Sequence, residues 1–186
     1  MSRKLVLASG SPRRRELLDV AGIDFDVRPA GIDEAFLPGE LPDAYVARLA
    51  REKARAVHRH GETTLGADTT VVIDGESLGK PADAAEARAM LTRLQGRGHQ
   101  VLTGWSLYDG RGGEDGVEST LVFFRPMIAP EIDQYVASGE PFDKAGGYGI
   151  QGLASKYVER IEGCYFNVVG LPVARVAEAL ARLADD

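Results

Sequence analysis

The stretch LVLASGSPRRRELL, residues 5–18, decides the fold. Leu5 to Ala8 make an apolar run, Ser9-Gly10 a turn, Ser11 a helix cap, and Pro12 suits the first helical position. A strand that turns directly into a helix opens a mixed chain. Three cations follow in a row, Arg13, Arg14 and Arg15. They face the positive end of the helix dipole, which is unfavourable by roughly 0.3–1 kcal/mol per charge. An anion held at that helix end reverses the sign, because backbone N–H groups and guanidinium forks would then share one negative target. The plainer alternative is that the arginines splay into solvent over apolar surface.

Outward from this stretch the chain alternates element types. The pattern predicts a first helix at Pro12 to Val20, a strand at Phe25 to Arg28, and a long helix from Pro42 to Arg59. The runs TTLGAD and TVVIDGESL read as strands, the second folded at an Asp74-Gly75 hairpin turn. Asp83 to Leu94 has the capping-box form and stops at Gly96. Strands are expected at Gln100 to Tyr108, Val117 to Phe124, Lys156 to Ile161 and Tyr165 to Val169, with helices at Glu131 to Ser138 and from Pro172. Hairpins beside crossovers imply an α/β fold with a mixed sheet flanked by helices. No linker or repeat divides the chain.

The totals narrow the function classes. At 186 residues and 44% hydrophobic content the chain supports a sizeable core. A net charge of −6 argues against general binding to nucleic acid or anionic membrane, so the cations for any anionic ligand must be local. The single cysteine, Cys164, excludes an internal disulfide framework and a cysteine zinc site. His58, His60 and His99 have no metal-ligand spacing. Without a signal-like or membrane-length apolar run, the chain is expected to be soluble and cytoplasmic.

Several charged residues stand out locally. Asp33 and Glu34 precede a Pro/Gly loop, LPGELP; Asp33 reads as an ordinary turn acid, and Glu34 as either a turn acid or a ligand. Asp68 ends the apolar approach LGAD beside Thr69 and Thr70, where a carboxylate and hydroxyls suit a hard cation. Lys53 interrupts the inward stripe of Val46, Leu49, Ala50, Ala54 and Val57. It either snorkels or reaches a phosphate, and Lys80 in LGKP has the same two readings. In DKAGGYGIQG, Gly147, Gly149 and Gly152 satisfy G-x-G-x-x-G, but no strand precedes and no helix follows, so a dinucleotide site is rejected. The glycines instead allow close backbone approach to a ligand, with Lys144 and Gln151 presenting side chains, or else form a tight turn.

The segments LASGSPRRRELL, GADTTVVIDGESLGKP, DKAGGYGIQG and NVVGLP, in this order, resemble the Maf family of nucleoside triphosphate pyrophosphatases over nearly the whole chain. The resemblance implies one Maf-like domain over residues 1–186, an elongated curved mixed sheet with two lobes and a central cleft, akin to the inosine triphosphatase fold. It also implies hydrolysis between the α and β phosphates with a divalent cation, and a homodimer. Carried onto this chain, the general base falls on Asp68 and the second carboxylate on Glu34, the pair that would hold magnesium or manganese. Phosphate-binding cations fall on Arg14, Lys53 and Lys80, the last also placed in the catalytic set. Ser11 and Lys144 join the substrate-binding set, and base selection falls on Arg13, Thr69 and Gln151. Arg13 and Ile150-Gln151 resemble the branch acting on dTTP and UTP rather than that acting on 7-methyl-GTP. A nucleotide sensor restraining cell division is the different-class alternative.

Overall fold

The computed structural model describes residues 4–185. Strand β1 (Lys4–Leu7) passes through a turn into helix α1 (Pro12–Val20). The Ser11 side chain accepts from the Arg14 N–H, and Pro12 opens the helix. After β2 (Asp26–Val27) and a long loop comes α2 (Pro42–Val57). Strand β3 (Glu62–Ile73) is continuous where two runs were expected. It turns at Asp74 and Gly75, with φ of 54° and 79°, into β4 (Glu76–Leu78), as an Asp-Gly hairpin of the type I′ kind requires. Helix α3 (Ala84–Leu94) is capped by Asp83, whose carboxylate accepts from the Glu86 N–H. Then follow β5 (Gly98–Tyr108), β6 (Gly113–Phe124), α4 (Ala129–Ala137), three single-turn 3-10 segments between Glu140 and Tyr157, β7 (Val158–Glu162), α5 (Tyr165–Val169) and α6 (Val173–Asp185).

The sheet has seven strands in the order β2-β1-β3-β5-β6-β7, with β4 paired to β3. The pairs of β1 with β2 and β3 are parallel; β3–β4 and β6–β7 are antiparallel. The sheet is therefore mixed, as expected.

One segment corrects the expectation. Tyr165–Val169 is a helix, not a strand. A five-residue apolar run carries too few periods to tell the two apart. Buried Asn167 settles it by donating to Val101 O at 3.0 Å and Thr120 Oγ1 at 2.9 Å, bonds that tie the turn to neighbouring strands. Gly163 and Gly170, both at positive φ, bracket the segment.

The chain forms two compact units. The first comprises Met1–Asp68, Thr103–Glu118 and Gly170–Asp186; the second comprises Thr69–Leu102 and Ser119–Val169. In the first, Leu7, Leu18, Leu49, Leu65, Leu107 and Leu171 are fully buried. In the second, Leu91, Leu94, Phe124, Tyr135 and Tyr157 are fully buried within one cluster.

Candidate active site

In the first unit, α2 lies very close to the sheet. A Cβ on Gly66 of β3 would fall 2.0 Å from Ala50 O, and one on Gly104 of β5 would fall 2.3 Å from Val46 O. Glycine at both positions lets the helix approach, so Lys53 reaches β3. Its ammonium lies 2.6 Å from Asp68 Oδ1 and 2.7 Å from Glu34 Oε1. Lys53 and Asp68 are buried, while Glu34 is exposed. The snorkelling alternative fails: the lysine turns inward onto two carboxylates.

Arg14 completes this charge cluster. Buried on α1, it donates through Nε to Gly170 O at 2.8 Å and through a terminal nitrogen to Ser9 Oγ at 3.0 Å. Burial lowers its pKa; the Asp68 charge opposes that, Arg13 adds to it, and Glu34 opposes it. The guanidinium nevertheless stays charged at any physiological pH. Arg15 is exposed and donates to Gly10 O, and Arg13 is half-buried. Of the three arginines, only Arg15 is exposed. Ser11 serves as the cap of α1.

The loop that carries Glu34 is fastened to α2. The Tyr45 hydroxyl donates to Glu34 O at 2.9 Å, and its ring stacks on Phe36 with centroids 3.7 Å apart. Arg48 donates to Ala35 O and pairs with Glu40 through two bonds of 2.6 and 2.8 Å. Burial first, then the Asp68 and Glu34 charges, push the Tyr45 phenol up to about 12, so it remains a neutral donor. Asp33 behaves as a turn acid, accepting from the Ala35 N–H. Tyr45 and Arg48 were not singled out from the sequence. Tyr45 lies four residues before Leu49 and reads there as core.

Two carboxylates sharing one ammonium have convergent oxygens, and no third histidine, cysteine or acid joins them among the described residues. Such a pair suits a hard cation that completes its shell with phosphate oxygens and water. Asp68 and Glu34 therefore fit magnesium or manganese as donors.

The remaining candidates lie in the second unit. Thr69 follows Asp68 on β3 and is half-buried; Lys80 is exposed after β4. Gln151 is exposed in a turn closed by the Gly152 N–H to Gly149 O bond of 3.0 Å. Its neighbour Ile150 lines an apolar depression of about 300 Å³ with Val158, Ile161 and Tyr165. The Lys144 ammonium is held by Glu140 O at 2.8 Å and Asp143 Oδ1 at 2.5 Å.

The profile of the Maf-like proteins matches residues 4–183. The chain belongs to the Maf-like family. A relative from Anaeromyxobacter sp. (strain Fw109-5), named dTTP/UTP pyrophosphatase, is 56% identical over 98% of this chain and 90% of its own. One of the same name from Syntrophomonas wolfei is 54% identical over 95% of both chains. A HAM1 protein from Coxiella burnetii matches 99% of this chain and 100% of its own, with a TM-score of 0.50 at 15% identity, a likeness of fold.

Proposed function

We propose that this Maf-like protein hydrolyses dTTP and UTP, and modified uridine triphosphates, to the monophosphate and pyrophosphate. The observation that carries the reading is the Lys53 ammonium between Asp68 and Glu34, with buried Arg14 coupled electrostatically to both acids. Relatives named dTTP/UTP pyrophosphatase, 56% and 54% identical, support the substrate class.

The chemistry follows from charge. A water attacks the α-phosphorus, the α–β bridging bond breaks, and its electrons leave with pyrophosphate. Asp68 takes the proton of the attacking water. Arg14, Lys53 and Lys80 bind phosphate oxygens and stabilise the charge that develops on the leaving group, the dominant contribution in such reactions. Ser11 and Lys144 are assigned to phosphate or ribose contacts, and Arg13, Thr69 and Gln151 to the base. A divalent cation held by Asp68 and Glu34 would supply further charge neutralisation at the phosphates. We further infer a homodimer in the cytoplasm, from the family resemblance; no helix among the described residues is long and apolar enough to cross a membrane.

The test is pyrophosphate release from common and modified nucleoside triphosphates, with magnesium and with manganese, beside Asp68→Ala. Release from dTTP and UTP, lowered at least about 10³-fold in the variant, is expected. Binding without release from any nucleotide would instead make the protein a nucleotide sensor.

A further inference from the structure

The turn that presents Gln151 is stapled from beneath by two side chains outside the family signature set described above. Tyr135, at the end of α4, is buried, and its hydroxyl accepts the Gly149 N–H at 3.3 Å and donates to Glu140 Oε1 at 2.8 Å. The other oxygen, Glu140 Oε2, accepts the Leu153 N–H at 2.8 Å. The chain of bonds from Gly149 through Tyr135 and Glu140 to Leu153 therefore clamps both ends of a five-residue segment whose middle residue is Gln151.

The packing agrees with the hydrogen bonds. A Cβ on Gly152 would fall 2.3 Å from Glu140 Oε1 and 2.5 Å from its Cδ. A Cβ on Gly149 would fall 2.7 Å from Lys144 Cε. Glycine at both positions lets the Glu140 and Lys144 side chains lie close against the loop backbone, and neither glycine has positive φ. Lys144 closes the base of the same structure by donating to Glu140 O. A carboxylate that accepts from a buried phenol and a backbone amide is fixed in one rotamer, and an exposed residue on a turn so fixed loses little entropy when it binds.

We propose that Tyr135 and Glu140 are positioning residues for nucleobase selection: they hold the Gly149–Leu153 turn so that Gln151 meets the base in one geometry. This rests on the assignment of Gln151 to the base. Tyr135 touches no substrate and acts through Gln151 alone.

The experiment compares kcat and KM for dTTP and for ATP in the unsubstituted protein, Tyr135→Phe, Gln151→Ala and the double variant, with thermal midpoints alongside. Tyr135→Phe removes one oxygen from the staple. It is expected to reduce the dTTP-over-ATP preference in kcat/KM by about tenfold, chiefly through KM for dTTP. In the Gln151→Ala background the same substitution is expected to change the preference less than about twofold, because the staple then has nothing to position. Glu140→Gln, which keeps the side-chain volume, should reproduce the loss if Tyr135→Phe fails to fold. An equal effect of Tyr135→Phe in both backgrounds, or a preference unchanged while Gln151→Ala abolishes it, overturns the staple and leaves the role of Gln151 standing. A preference untouched by Gln151→Ala overturns both.

Discussion

Lys53 shows how much one side chain decides. Its position on the apolar stripe of α2 gives it burial, and burial gives its charge weight, because Asp68 lies at 2.6 Å in a poorly solvated setting, with the exposed Glu34 at 2.7 Å. Removing one member of a buried ion pair leaves the other uncompensated. Lys53→Met is therefore expected to destabilise the fold by roughly 3 kcal/mol in urea unfolding. Lys53→Met with Asp68→Asn should recover most of that loss, since the Asp68 carboxylate is then no longer left buried without its lysine; a double variant no more stable than Lys53→Met contradicts the pairing. His99 makes a second residue-scale case. It is 2% exposed, bonded through Nε2 to the Tyr148 hydroxyl at 2.7 Å, and ringed by Phe124 and Tyr148. Burial pushes its pKa down from 6.5 to about 4. Between those values the unfolded chain binds a proton that the folded chain refuses. Stability from this group is whole above about pH 6.5 and falls as pH drops toward 4, by up to roughly 3 kcal/mol. His99→Gln should flatten that part of the pH–stability curve, and an unchanged slope between about pH 6.5 and 4 sets the idea aside.

At the scale of elements, the site depends on a helix lying unusually close to a sheet. Gly66 and Gly104 stand directly under Ala50 and Val46 of α2. Neither contact involves a flexible side chain that could step aside; both involve helix backbone. Gly66→Ala is expected to cost about 3 kcal/mol or more, seen as a lower unfolding midpoint, and to reduce turnover in whatever protein still folds, because α2 must lift and take Lys53 with it. Turnover retained at a lowered midpoint would separate helix approach from site geometry. These two glycines also mark the limit of sequence reading. Caps, the Asp74-Gly75 turn and the stripe of α2 were legible because each is a local rule written within a few residues. That Gly66 faces Ala50 is a tertiary fact with no local signal. The same holds for α5, where Asn167 fixes a helix by bonds to Val101 and Thr120, far away in sequence. It holds again for Tyr45 and Glu140, whose roles appear only once their partners fold against them.

At the scale of the molecule, three of the four boundaries between the two units fall inside strands, Asp68/Thr69 within β3, Leu102/Thr103 within β5 and Glu118/Ser119 within β6, while Val169/Gly170 follows α5. At those three places the chain changes unit in mid-strand, so no linker marks the change in the sequence. Within the first unit, Arg14 is anchored on Gly170, far along the chain. Neither unit is one continuous segment, so neither can lose its order without breaking strands that the other also uses. Unfolding should accordingly be one cooperative transition. Trp105, the single tryptophan, is buried and belongs to the first unit, whereas Leu91 is fully buried in the core of the second. Leu91→Ala, a change that costs about 2–5 kcal/mol in a packed core, is expected to lower the midpoint read by Trp105 fluorescence as much as that read by far-UV dichroism. A Trp105 transition that stays put while the dichroism shifts would mean that the units unfold separately, and that strand continuity does not couple them.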